Sequence, residues 1–183
     1  VGLPAVTPKR GPDDRVLQLH TSGTSGEPKI ISFTLSRIMR AGAVIGHSLR
    51  LSPADLGISM LPLHHIGGIS CNLIAPLLAG TPMRFHKSFD PKGFFDAVEG
   101  KEGATWCYLV PTMWEMLLDY AAAHPELKNS MPCSRLRFVR SAGSDLPHLF
   151  SLELAAFFGE SVSILPPYAI SVPTPPPVPP PPL

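Results

Sequence analysis

Between residues 16 and 165, short apolar runs with strand character alternate with longer segments whose apolar residues recur at helical spacing. No other feature restricts the fold as strongly. The strand runs fall at residues 16–20, 29–33, 56–60, 81–86, 104–110, 136–139 and 162–165. Thr34 offers an N-cap for a helix with Ile38, Ala41 and Ile45 on one face. Ile66, Ile69, Leu73 and Leu77 mark a second helix, with Gly80 where a C-cap belongs. Asp90-Pro91 caps and starts a third, running to Val98. Thr112 and Glu115 have capping-box spacing ahead of a face formed by Met113, Leu117 and Tyr120, and residues 146–158 form the last helix. The pattern predicts an α/β domain, with a mostly parallel sheet carrying helices on both faces and right-handed crossovers.

The ends read differently. Residues 1–15 are rich in Pro, Gly and charge, and suggest a linker into the first strand, predicted as short and buried. From residue 172 to 183 eight of twelve residues are proline, which excludes helix and ladder and leaves polyproline II or disorder. Such a tail suits the aromatic grooves of SH3 or WW domains, or is an artefact replacing another continuation after Ser171. Fifteen Lys and Arg against fourteen Asp and Glu leave no basic excess of the kind a nucleic-acid binder needs. The three cysteines, Cys71, Cys107 and Cys133, lack zinc or disulfide spacing. No apolar run reaches the roughly 18 residues of a membrane span. An intracellular protein is expected, cytoplasmic or peroxisomal.

Chemistry is concentrated in Thr21-Ser22-Gly23-Thr24-Ser25-Gly26-Glu27-Pro28-Lys29. Gly23 and Gly26 let the backbone turn tightly against a ligand, the four hydroxyls add donors, and Lys29 adds positive charge for a phosphate. The P-loop pattern fails here, because counting from Gly23 its second glycine falls on Pro28 and Ile30 stands where a metal-binding hydroxyl belongs. A plain Ser/Thr/Gly surface turn is the alternative.

The stretch resembles the signature of the adenylate-forming enzymes (acyl-CoA synthetases, peptide-synthetase adenylation domains and luciferases), with Ile30 the one departure. Leu61-Pro62-Leu63-His64-His65 is similar to the family's second landmark, with His65 on the family histidine and His64 replacing an aromatic. Residues 105–112, ending Val110-Pro111-Thr112, resemble a third landmark. Ala142-Gly143-Ser144-Asp145 stands at the family's adenine-side turn, and Tyr168 begins the last matching motif.

The resemblance implies an incomplete N-terminal domain of an acid–thiol ligase over residues 16–171. An intact relative activates a carboxylic acid with ATP and Mg²⁺ as acyl-adenylate, then passes the acyl group to a thiol such as coenzyme A. Thr21, Ser22, Gly23, Thr24, Ser25, Gly26 and Lys29 then hold phosphates, His65 lies by the carboxylate, and Ala142, Gly143, Ser144, Asp145 and Tyr168 flank adenine. At Val172 the family's Mg²⁺ glutamate is missing, and no acidic residue follows Glu160. The chain as given is therefore expected to be inactive; the rival readings are a catalytically dead nucleotide-binding regulatory module and an interaction protein working through its proline tail. A metal site shared by His64 and His65 is rejected, on the ground that neighbours in an extended segment point to opposite faces.

Overall fold

The computed structural model describes residues 11–20, 30–99, 102–127, 135–141, 143 and 146–165. Within them the strands β3 (Gly57–Ser59), β4 (Met83–Phe85), β5 (Trp106–Leu109), β6 (Phe138–Ser141) and β7 (Ser163–Leu165) form one parallel sheet in the order β4-β3-β5-β6-β7. The order reverses between β3 and β5. β3 connects to β4 on one side, and the chain then returns to lay β5 on its other side.

The crossovers explain the two faces. After β3 come α2 (Ile66–Ile69), a wide π turn (Ser70–Ile74) and α3 (Ala75–Ala79). These pack with α1 (Leu35–Ser48) over one face, where Trp106, Tyr108 and Phe138 meet Cys71 and Leu49. On the other face α4 (Pro91–Val98), α5 (Pro111–Ala123) and α6 (His148–Phe158) bring Phe94, Phe95, Trp114, Leu117, Leu154 and Phe158 onto Ile58, Cys107, Leu109 and Val139. Alternate residues of each strand thus serve opposite layers, as the pleat requires. The expected α/β sandwich is the observed one.

Several local expectations are corrected. β1 (Arg15–His20) and β2 (Ile30–Thr34) form a separate antiparallel pair, so strand follows strand there and the alternation with helices breaks. β1 is largely exposed rather than buried, since the pair lies outside the main sheet. Pro12 and Asp14, inside the expected linker, accept backbone hydrogen bonds from Ser36 and Leu35 at the start of α1. α1 buries Ile38, Gly42 and Gly46 while Ala41 is exposed, because its close approach to α3 needs glycine at the contact.

In the second helical segment Leu73 and Leu77 face solvent, and Gly68, Ser70, Cys71, Asn72 and Ala75 are buried instead. Pro76 offers no N–H to the Asn72 carbonyl and crowds it. The backbone widens into the π turn, where Ala75 N–H reaches Ser70 O, and the buried face rotates. α5 begins at Pro111 with Val110 as N-cap and no side-chain cap, so Thr112 and Glu115 make no capping box; proline at the first position supplies the helix start. Thr34 and Asp90 cap their helices as expected, accepting from Arg37 N–H and Gly93 N–H, and Gly80 closes α3 in the left-handed region.

Candidate functional site at the carboxyl edge of the sheet

The charged groups at the two edges of the sheet fare differently, although Trp106 Nε1 at the amino end of β5 is also buried without a partner. At the amino edge Asp55 is 5% exposed yet fully engaged. Its Oδ1 accepts from Thr105 Oγ1 and from Arg137 Nε, each at 2.8 Å, and its Oδ2 accepts from the Ser52 N–H and hydroxyl at 3.0 Å. Burial alone pushes the carboxyl up, but the hydrogen bonds of Thr105, Ser52 and Arg137 together hold it below its ordinary value. This knot joins the segment before β3 to β5 and β6, and is structural.

At the carboxyl edge buried polar atoms lack partners. Ser141 Oγ and Arg140 Nε and Nη1, at the end of β6, make no hydrogen bond. His86 Nε2, just past β4, makes none either. Asn72 donates from Nδ2 to Ser59 Oγ at 2.9 Å over the end of β3, but its Oδ1 is unpaired. Unsatisfied buried groups are destabilising unless something is meant to meet them. In open α/β sheets ligands bind outside the carboxyl ends of the strands, at the point where strand order reverses. Here that point is the crevice between β3 and β5.

Three loops converge on it. The first follows β3 and carries His64 and His65; both are exposed, and His65 is the N-cap residue of α2. Their rings lie side by side with centroids 4.3 Å apart, which corrects the opposite-face argument: the segment is a turn, not extended. Among the described residues no group of three or more His, Cys, Asp or Glu side chains gathers to hold a metal ion. The second loop follows β5 at Val110-Pro111. The third follows β6, where Gly143 has φ of +100° and a Cβ there would stand 3.2 Å from Val110 Cγ1. That backbone suits glycine and little else.

Between the first loop and the sheet lies Tyr108, 4% exposed. A Cβ on Gly67 would come within 2.5 Å of Tyr108 Oη, so only glycine lets the His65 loop settle on the phenol. Burial, with Cys71 adding to it and Arg140 opposing, pushes the Tyr108 hydroxyl up to about 12. The Cys71 thiol is likewise pushed up by burial against the pull of Arg140. Arg140 lays its guanidinium over the Tyr108 ring, 5.7 Å from the centroid.

Of the site residues named from sequence, His65 and Gly143 are placed, and both fall at this edge. Thr21, Ser22, Gly23, Thr24, Ser25, Gly26, Lys29, Ala142, Ser144, Asp145 and Tyr168 lie outside the described residues. The ends of the nine-residue Thr21–Lys29 stretch are nonetheless defined, since His20 and Ile30 are paired across the β1–β2 ladder. Sequence reasoning missed Tyr108, Arg140, Cys71 and Asn72. One signal was available: Arg140 is a charge two residues after Phe138, on the same face of the strand as that buried aromatic.

Comparison with known proteins agrees with this architecture. The family model described as AMP-binding enzyme matches residues 3–171. An oxalate–CoA ligase of Arabidopsis thaliana is 33% identical over 153 residues, which cover 82% of this chain and 29% of that ligase. A sulfoacetate–CoA ligase of Cupriavidus necator is 32% identical over 155 residues, 85% of this chain and 29% of the relative. The chain thus spans under a third of the length of these curated relatives. Among solved structures, ATP-bound MatB from Rhodopseudomonas palustris superposes with a TM-score of 0.74 at 27% identity, covering 88% of this chain and 30% of that one.

Proposed function

The chain belongs to the AMP-binding enzyme family, and from that premise we propose that it supplies the phosphate loop and the acid-binding crevice of an ATP-dependent acid–CoA ligase. The observation that carries this reading is the convergence of the His65 loop, Val110 and Gly143 on a carboxyl-edge crevice lined with buried, unpartnered polar atoms. Such an edge is arranged to be completed by a ligand.

In the proposed reaction a carboxylate oxygen attacks the α-phosphorus of ATP. The bond to the bridging oxygen breaks, and pyrophosphate leaves with its electron pair. The sulfur of coenzyme A then attacks the acyl carbon, its proton is lost, and AMP departs. Thr21, Ser22, Gly23, Thr24, Ser25 and Gly26 with Lys29 cradle phosphate oxygens, because backbone N–H groups, hydroxyls and an ammonium are the donors such anions need. His65 borders the carboxylate, and its exposed ring at the turn into α2 leaves it open to the crevice. Ala142, Gly143, Ser144 and Asp145, with Tyr168, flank adenine; the left-handed Gly143 keeps this turn close against Val110. Mg²⁺ would neutralise triphosphate charge during the transfer. Among the described residues no group of three or more His, Cys, Asp or Glu side chains gathers, and no step is assigned through the ion.

The chain by itself is proposed to bind nucleotide weakly and to lack turnover, since so much of the transition-state charge in nucleotidyl transfer is met by metal and cations. Titrating Mg-ATP into the isotopically labelled chain tests the reading. Saturable amide shifts centred on Gly23, Thr24 and Gly26 are expected, with affinity of roughly millimolar. Lys29→Ala should weaken them several-fold, and acid-dependent ATP–pyrophosphate exchange should stay at the level of that variant. Saturation that left this loop untouched would refute the assignment.

A further inference from the structure

This inference rests on the ligase reading and narrows its substrate. Arg140 is the penultimate residue of β6, in register with Tyr108 on one side and Leu165 on the other. It lies on the face covered by α2 and the π turn. Its Nε and Nη1 are buried without a hydrogen-bond partner, and among the described residues it makes no ion pair. Two ionisable groups lie close to it, Cys71 and Tyr108. Cys71 and Tyr108 both stay neutral at physiological pH, because burial disfavours thiolate and phenolate. The aromatic face of Tyr108 offers the cation a weak partner, but it leaves the N–H groups of Nε and Nη1 without an acceptor.

Arg140 is half-buried, but buried guanidinium nitrogens without an acceptor are costly to keep, and a guanidinium matches a carboxylate or sulfonate in bidentate fashion. Tyr108 links it to the loop that bears the candidate carboxylate-side histidine. The ring meets Arg140 on its face, and its hydroxyl abuts Gly67, two residues beyond His65. We propose that Arg140 is a specificity-determining residue that receives the second anionic group of a short, doubly acidic substrate, whose reacting carboxylate lies on the His65 side of Tyr108. The two relatives whose names specify oxalate and sulfoacetate, acids with two acidic groups, support this substrate class.

The test uses the full 183-residue chain with sodium malonate and sodium acetate as probes at equal ionic strength, read by amide shifts at Gly67 and Tyr108 and by the Arg140 Nε–H resonance. Malonate should bind at least tenfold more tightly than acetate and move the Arg140 Nε–H signal. Arg140→Gln should bring malonate to within about twofold of acetate, while Arg140→Lys, which keeps the charge but loses the fork, should fall between. Equal binding of both acids to the native chain, no saturable malonate binding, or a preference that survives Arg140→Gln would each overturn the proposal. So would loss of both acids alike in that variant, which would place the reacting carboxylate on Arg140. If Arg140→Gln does not fold, the native Nε–H signal decides: malonate saturation without its movement is a negative result. Mg-ATP shifts at Gly23, Thr24 and Gly26 in the same sample separate the two claims. Their persistence without malonate preference sinks only the substrate inference, and their absence with malonate preference intact sinks only the nucleotide assignment.

Discussion

Asp55 and Arg140 show how differently one sheet handles charge at its two ends. Asp55 accepts from Thr105, Ser52 and Arg137 and so stays ionised although buried, whereas Nε and Nη1 of Arg140 meet no acceptor. Breaking the Asp55 knot should therefore be expensive. Asp55→Asn removes the charge and leaves donors of Thr105 and Arg137 poorly matched, for an expected loss of about 2–4 kcal/mol at pH 7. Because the folded carboxyl titrates below its unfolded value, its contribution is fully present above the unfolded pKa of about 3.9 and is lost as pH falls through the folded one. Urea unfolding of the native chain and of Asp55→Asn should accordingly differ at pH 7 and converge in strong acid. A difference independent of pH would show that the carboxylate charge is not what holds the edge together.

Elements pack closely only where small residues permit it, and α1 against α3 is the clearest case. A Cβ on Gly42 would stand 2.5 Å from Ile74 Cγ2, and one on Gly46 would stand 3.3 Å from the Ala75 carbonyl. In an isolated helix Gly42→Ala would gain about 1 kcal/mol from propensity. Here overpacking should outweigh that gain at about 1–3 kcal/mol, lowering Tm. Adding Ile74→Ala removes the offending methyl, so the double variant should be less destabilised than the sum of the singles, a coupling that a thermal-melt cycle measures. Additive losses would mean that the helices simply separate. The same region shows why the helical spacing of Ile66, Ile69, Leu73 and Leu77 misled: the π turn at Ser70–Ile74 inserts extra arc and turns Leu73 and Leu77 outward.

At the scale of the whole molecule, the sheet formed by the described residues ends in β4 and β7, each paired on one side only among them. Leu77 is 71% exposed on α3, and Leu149 and Leu152 are 76% and 52% exposed on α6. Open strand edges and large apolar surface promote association. Sedimentation velocity should show self-association that rises with concentration, reduced by Leu77→Lys together with Leu149→Lys. A sharp monomer across the accessible concentration range would contradict this expectation.

Local signals in the chain determined the strand and helix types, the caps at Thr34, Asp90 and Gly80, and the parallel α/β class, because period, capping chemistry and proline restrictions act within a few residues. His65 and Gly143 were named from sequence motifs, which need no tertiary knowledge to notice. The separate β1–β2 pair, the outward turn of Leu77 and the unbonded Nε and Nη1 of Arg140 were not. Each depends on which distant segment lies alongside: a ladder between His20 and Ile30, the constraint of Pro76 within a packed layer, and the meeting of β5, β6 and the π turn around Tyr108. Burial and pairing arise between residues far apart in the chain, so only the tertiary structure decided that Ser141, Arg140 and Asn72 at the carboxyl edge keep unpaired polar atoms while Asp55 at the amino edge is fully bonded.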